Sequence, residues 1–305
     1  MRTTCVHNPD DMPSKTAIVT GTLSHSGGAA GIGLAIVKFL AQSGHEVAHI
    51  AIFDIDATTG ETVLKSLEND FPNLTFSFHI CDVTSWESQA QMFEDVYADK
   101  GRIDIVFANA GIAETGSLIT TTGDKPVKPD LKTYDVDLTG VIYTISLAAF
   151  YISKNQQSVT TGLKGSIICT ASNSGLYPLS LAPIYTTAKY GVVGMVRGLA
   201  GRFRHEQIQI NAIAPCIVET NIGARLRELP GIVFTPLSAV TQAVSMLLNG
   251  YEFNGKVAEI SEDRITFAEP PAFVDESTKN NLAILGMLAE RIWKGEFGDG
   301  GDKSS

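Results

Sequence analysis

Tyr185 and Lys189 bracket the run Tyr185-Thr186-Thr187-Ala188-Lys189. On a helix, residues four apart share a face, so the ammonium lies beside the phenol. A nearby ammonium stabilises a phenolate and lowers the tyrosine pKa toward working pH, which lets the phenol exchange a proton with an alcohol or carbonyl oxygen. Ser172, thirteen residues upstream, offers a hydroxyl that can hydrogen-bond the same oxygen and hold it toward Tyr185. Far from these residues in sequence, Ala17-Ile18-Val19-Thr20-Gly21 leads through Gly27-Gly28-Ala29-Ala30-Gly31-Ile32-Gly33 into an amphipathic stretch. A strand, a glycine-rich turn and a helix start, in that order, form a pyrophosphate site, because glycines let the backbone approach and the free amides attract the anion. Gly21, Gly28, Gly31, Ile32 and Gly33 are its candidate residues. About 20 residues on, Asp54 closes the next β-branched run, where a carboxylate accepts from ribose hydroxyls and repels a 2′-phosphate. NAD(H) is therefore favoured, and NADP(H) stays open.

These groups need a frame to hold them. Short β-branched runs at Thr16 to Thr20, Val47 to Phe53, Leu74 to Cys81, Ile103 to Ala108, Ser166 to Thr170, Gln209 to Ile213 and Lys256 to Ile260 read as strands. Helices are expected at Ile32 to Gln42, Thr59 to Asn69, Trp86 to Lys100, Leu131 to Lys154, Ile184 to Arg204 and Ser238 to Leu248. In the first, Ile32, Ala35, Ile36 and Phe39 would form the apolar face. Strict alternation of strand and helix predicts an α/β fold, doubly wound, with a seven-stranded, mainly parallel sheet and helices on both faces. Glu114 to Pro129 reads as a surface loop, and a terminal helix is expected near Lys279 to Trp293. The expected organisation is a mobile N-terminus over residues 1–13, one catalytic domain over 14–265, a helical extension over 266–297 and a mobile tail over 298–305.

Composition narrows the partners. The 305 residues carry a formal net charge of −10, which argues against nucleic acid or an anionic membrane surface. The first residues lack a signal-peptide core, and the longest apolar run, Gly140 to Ile152, is too short to span a bilayer. Cys5, Cys81, Cys169 and Cys216 are scattered without a CxxC pair, so no metal site or disulfide framework is suggested and a reducing, cytoplasmic location is expected.

Taken in order, the glycine turn, Cys81-Asp82-Val83, Asn109-Ala110-Gly111, Ser172, the Tyr185/Lys189 pair and Asn211-Ala212-Ile213-Ala214-Pro215 resemble the short-chain dehydrogenase/reductase family over about residues 15–260. The resemblance implies a Rossmann fold. It also implies that Asp82 and Val83 flank an adenine, Asn109, Ala110 and Gly111 an inner ribose, Lys189 the nicotinamide ribose, and Pro215, Val218 and Thr220 the carboxamide. Three departures stand out. Nine residues separate Gly21 from Gly31, so the turn is lengthened and its first cofactor-touching glycine stays open, Ser26 to Gly33 being the alternative register. Asp137 takes the place of an asparagine that holds a relay water in the family. Cys216 follows Pro215 where glycine is usual, and packing is its expected role. If close, the Asp137 charge would partly neutralise Lys189, giving an enzyme with an alkaline-shifted pH profile.

The chain looks most like fungal members acting on polyketide or terpenoid alcohols, and is also similar to 15-hydroxyprostaglandin dehydrogenases. The resemblance implies an NAD(H)-dependent oxidoreductase that interconverts a bulky hydrophobic secondary alcohol and its ketone, as a homodimer or homotetramer. Substrate contacts are expected from 113–117, 175–183 and 221–229, with Leu176, Tyr177, Leu179 and Leu181 making an apolar wall. Residues 270–293 would form a lid or subunit contact. A cofactor-binding scaffold with weak catalysis, or an isomerase or cyclase derived from such an enzyme, is the alternative.

Overall fold

A computed structural model describes residues 15–21, 31–43, 45–119, 123–218, 226 and 228–296. Gly28, Thr220, both expected tails, most of the lengthened glycine turn and most of 221–229 lie outside the described residues.

Parallel strands buried on both faces need mostly apolar residues, and the chain's β-branched runs supply them. The strands are β1 (Lys15–Thr20), β2 (Val47–Asp54), β3 (Thr75–Ile80), β4 (Ile105–Ala108), β5 (Gly165–Thr170), β6 (Ile208–Pro215), β7 (Val257–Ser261) and β8 (Arg264–Phe267). Their order in one sheet is β3-β2-β1-β4-β5-β6-β7-β8. The first seven run parallel and β8 pairs antiparallel with β7. The expected seven parallel strands are thus joined by an eighth. Its four residues, Arg264-Ile265-Thr266-Phe267, are half polar and return from β7 by a turn in which Glu262 has positive φ. So short an edge strand has too little periodicity to show in sequence.

Helices cover both faces. α1 (Ile32–Gln42), α2 (Ala57–Asp70) and α7 (Leu237–Asn249) pack on one, around Ile36, Val37, Ile52, Phe107 and Leu247. α3 (Trp86–Lys100), α5 (Gly140–Ile152) and α6 (Pro183–His205) pack on the other, around Phe53, Phe93, Val106, Ala148 and Val196. The buried residues of α1 are Gly33, Leu34, Ile36, Val37 and Leu40, a face turned from the expected one, with Ile32 and Phe39 at its margin.

The expected helix Leu131 to Lys154 is composite. A single turn, α4 (Lys132–Tyr134), passes into a π-helical turn, Asp135–Thr139, and then into α5. The combined stretch Lys132–Ile152 is long and apolar enough to cross a membrane, yet 56% of its apolar window is buried inside the fold, so it is a core helix. Gln89 locks it in place: its amide donates to Val83 O and Gly140 O, and it accepts from the Thr144 hydroxyl at 2.8 Å. The terminal helix α8 (Glu276–Trp293) rests on α6, with Trp293 over Gly201 and beside Arg202.

Candidate active site

Strand order reverses between β1 and β4, and the crevice outside the carboxyl ends at such a switch point is where doubly wound sheets bind ligands. Asn109 ties the strand ends together there. Its amide donates to Thr20 O at 3.1 Å and Gly21 O at 2.8 Å, and its carbonyl accepts from the Thr170 hydroxyl at 2.8 Å. Thr20 returns the bond by accepting from the Asn109 and Ala110 amides. The Asn109 side chain therefore joins β1, β4 and β5, and only one carbonyl lone pair faces elsewhere. Gly21 has φ +64°, and a Cβ there would fall 2.3 Å from Ala110 Cα, so the two loops pack backbone to backbone.

Lys189 and Asp137 meet beneath this crevice. Both are almost fully enclosed, at 2% and 0% exposure. Lys189 Nζ donates to Thr170 O at 3.0 Å and stands 3.1 Å from Asp137 Oδ2. That contact is an ion pair without hydrogen-bond angles, and Oδ2 has no hydrogen-bonding partner among the described residues. Oδ1 accepts from the Ile112 amide at 2.8 Å. Gly111 makes room for the pair, since a Cβ there would lie 3.0 Å from Oδ2 and 3.3 Å from Nζ. Burial raises the Asp137 carboxyl above the ordinary carboxylate value, against the pull of Lys189 and the Ile112 amide. Burial also opposes the charge on Lys189, but Asp137 and Tyr185 overcome it, and the ammonium is held above the usual lysine value. The two groups titrate as one unit in which Lys189 keeps its proton at neutral pH. Burial pushes the neighbouring Cys169 thiol up to about 12, so it stays neutral.

Tyr185 lies on the first turn of α6 with Lys189 Nζ 5.4 Å from its ring centre. Ser172 follows β5 and accepts from the Ser174 amide at 3.1 Å, opening a 3-10 turn, Asn173–Gly175. A Cβ on Gly175 would lie 2.6 Å from Lys189 O, so that turn sits directly on the α6 backbone. The fold thus brings Ser172, Tyr185, Lys189 and Asp137 to one place from three separate segments. A phenol beside a buried ammonium, with a hydroxyl on the adjacent turn, can transfer a proton to or from a bound alcohol oxygen.

Asp54 ends β2 and is buried, with Oδ1 accepting from the Asp56 amide at 3.1 Å. Asp82 makes an Asx turn, its Oδ1 accepting from the Thr84 amide and hydroxyl, and Val83 packs on Gly140. Pro215 ends β6, and Val218 bridges to Thr235. At the start of α1, Gly31 supplies no side-chain cap, and the first turn has no acidic residue. A helix start with glycine in place of a capping side chain, a glycine-floored crevice and a carboxylate one strand away are the features that a dinucleotide needs, and the residues fit one.

The wall segments are placed less uniformly. Leu176 packs against the core, whereas Tyr177, Leu179 and Leu181 are exposed. Tyr177 OH donates to Glu259 at 3.2 Å, which brings a carboxylate to that rim. Cys216 Sγ accepts from Asn173 Nδ2 at 3.1 Å, consistent with packing. Glu114, in the loop after β4, has a connection that sequence reasoning missed. Its two carboxylate oxygens accept from the amides of Ile184 and Tyr185. No local signal exposes a contact between residues 70 apart; the missing side-chain cap ahead of Pro183 was the one available hint.

Fold and crevice define an α/β dinucleotide-binding oxidoreductase. Residues 15–230 match the family described as short chain dehydrogenase. Short-chain dehydrogenase/reductase prx7 of Penicillium rubens is 33% identical over 275 residues, covering 81% of this chain and 94% of its own length. The 5′-hydroxyaverantin dehydrogenase of Dothistroma septosporum is 29% identical over 261 residues, covering 78% of this chain and 83% of its own length. A short-chain type dehydrogenase/reductase from Mycobacterium marinum superposes with a TM-score of 0.68 at 22% identity, over 83% of this chain and 96% of its own, and shares the fold. The chain belongs to the short-chain dehydrogenase/reductase family, oxidoreductases that act on CH–OH donors with NAD(P), and it resembles fungal secondary-metabolite members.

Proposed function

We propose that the protein is an NAD(H)-dependent oxidoreductase that interconverts a bulky hydrophobic secondary alcohol and its ketone, of polyketide or terpenoid type, in secondary metabolism. The observation that carries this reading is the buried Lys189 ammonium 5.4 Å from the Tyr185 ring, with the Ser172 turn resting on the same helix. Bound NAD(H) would accept or supply the hydride. During oxidation the Tyr185 phenolate takes the hydroxyl proton, Ser172 holds the substrate oxygen, and Lys189 stabilises the phenolate and holds the nicotinamide ribose. In reduction the proton runs the other way. Gly21, Gly28, Gly31, Ile32 and Gly33 hold the pyrophosphate, and Asp54 selects NAD(H) over NADP(H) through the ribose. Asp82, Val83, Asn109, Ala110, Gly111, Pro215, Val218 and Thr220 line the remaining cofactor surface. The resemblance to fungal secondary-metabolite members supports the substrate class.

The proposed catalytic unit is residues 14–265, with 266–297 as an extension, in a cytoplasmic homodimer or homotetramer. The test is a 340 nm screen of hydrophobic secondary alcohols and ketones with each cofactor, run beside Tyr185→Phe. Turnover with NAD(H) that falls at least about 100-fold in the variant is expected. Activity that survives the substitution overturns the mechanism. The Asp137–Lys189 pair favours one second reading, a cofactor-binding protein with weak catalysis, since the carboxylate offsets the activating ammonium. Stabilisation by NADH without turnover of any alcohol would support that reading.

A further inference from the structure

α6 begins without a cap of its own. Ala182 precedes it and cannot accept a hydrogen bond through a methyl group, and Pro183 at the first position has no N–H. The first free helical donors are therefore the amides of Ile184 and Tyr185. Both go to one carboxylate from the other side of the crevice: Ile184 N donates to Glu114 Oε1 at 3.1 Å, and Tyr185 N to Glu114 Oε2 at 2.7 Å. An anion at this end also interacts favourably with the helix dipole, which makes the pair of bonds charge-assisted.

The segment carrying Glu114 is itself stitched down on both sides. The Ile112 amide donates to Asp137 Oδ1 at 2.8 Å. The Thr133 hydroxyl donates to Ala113 O at 3.0 Å and accepts from the Thr115 amide at 2.9 Å. Five consecutive residues, 111–115, therefore touch the Asp137–Lys189 pair, the turn before α5 and the backbone of Tyr185. Of these ties, only the one through Glu114 reaches the residue that carries the phenol.

We propose that Glu114 is a positioning residue for the Tyr185 reaction, tying the loop after β4 to the first turn of α6 and so fixing where the phenol stands. This rests on the reading of Tyr185 as the acid/base. A proton transfer tolerates little displacement, and a shift of about 1 Å at a reacting group can cost about 100-fold in rate. Loss of the tie frees the loop and the helix start to move independently, so kcat falls while the cofactor, bound across the crevice, keeps its affinity.

A merely structural cap can be told from a tether by moving the cap. Glu114→Ala removes both functions; adding Ala182→Ser supplies a local hydroxyl that can accept from the same helix-start amides without reaching the loop. The measurements are kcat with the best alcohol of the wild-type screen, NADH affinity, and hydrogen exchange over peptides 111–119 and 183–190. Glu114→Ala should lower kcat about 10- to 100-fold with NADH affinity within about twofold, and should speed exchange in both peptides. Ala182→Ser in that background should slow exchange at 183–190 only, leaving kcat low. Glu114→Gln, which keeps one carbonyl oxygen and the side chain's reach, should fall between, and it carries the same comparison where the alanine variant does not fold. A kcat within twofold of wild type in Glu114→Ala, or a kcat that recovers along with the helix start, overturns the proposal. Absence of turnover in the wild type would instead overturn the acid/base reading, and faster exchange in the variant would still report the tether.

Discussion

Replacing Asp137 with asparagine should move the acid limb of alcohol oxidation to lower pH, and the size of the shift follows from two contacts. Lys189 Nζ is 5.4 Å from the Tyr185 ring centre and 3.1 Å from Asp137 Oδ2. At an effective dielectric constant of about 20, an ammonium at that first distance favours a phenolate by about 3 kcal/mol. Laid end to end, the two contacts place the Asp137 carboxylate no farther than about 8.5 Å from the ring, where it opposes the phenolate by about 2 kcal/mol. Most of the ammonium's benefit is thus offset in the native site. Asparagine removes the opposing charge and keeps the oxygen that accepts from Ile112, so alcohol oxidation on the acid limb should gain about 10- to 30-fold. With Lys189 charged in both forms the sign follows from charge: taking away an anion favours the ionised phenol, so oxidation gains at low pH. Ketone reduction, which needs the protonated phenol, loses its activity at a correspondingly lower pH. The groups nearest the ammonium support this accounting, because Cys169 is neutral and Thr170 contributes only a carbonyl. Burial keeps salt from screening the effect. The assay is kcat/KM against pH for both directions in wild type and Asp137→Asn, with melting temperatures to confirm that both are folded. Acid-limb rates that agree within about twofold would refute the coupling between the carboxylate and the phenol, given an expected gain of about tenfold or more.

Two further predictions concern stability. Gly21→Ala forces an alanine to φ +64° with its Cβ 2.3 Å from Ala110 Cα, and should cost about 2–4 kcal/mol in urea unfolding; a loss under about 0.5 kcal/mol would show that the two loops do not pack as described. His49 bonds the hydroxyls of Thr75 and Ser77 through its two ring nitrogens, and burial, reinforced by Lys100, lowers its pKa to about 4. Because the unfolded histidine takes a proton near pH 6.5 and the folded one does not, stability present above that pH drains away as the pH falls toward 4, by about 3 kcal/mol. His49→Gln should flatten that part of the stability profile, and an identical pH dependence in the variant would refute the assignment.

The site residues legible in sequence are those whose partners lie nearby or whose place follows from the strand rhythm. Tyr185 and Lys189 share one helix, and Ser172 and Asn109 each follow a strand that its β-branched composition reveals. What stayed hidden depends on long-range packing. Nothing in Glu114-Thr115-Gly116-Ser117 distinguishes a helix-capping glutamate from a solvated loop charge, because its partners are 70 residues on. The Asn109 side chain reads as a ribose ligand by resemblance, while its bonds to Thr20, Gly21 and Thr170 show that most of its capacity holds strands together. The Leu176 to Leu181 wall reads as uniformly apolar, yet Leu176 faces the core and Glu259 joins the rim beside Tyr177.

The π-helical turn at Asp135–Thr139 reconciles two demands that a regular helix cannot meet together. Upstream, Thr133 is buried and held by Ala113 and Thr115, which fixes the phase of α4. Downstream, Val141, Ile145, Ala148 and Ile152 must face the core, which fixes the phase of α5. The wider turn, closed by the Gly140 amide on Asp135 O, takes up one residue between them. In an α-helix one residue is worth about 100° of rotation, so deleting it would turn either Thr133 from the loop or the apolar stripe from the sheet. Asp137 sits inside that turn, with Oδ1 on Ile112 and Oδ2 against Lys189. The loop after β4, the packing of α5 and the charge beside the catalytic lysine are thereby set by one local irregularity. A one-residue deletion within 135–139 should consequently disturb all three at once, whereas Asp137→Asn should alter the charge alone.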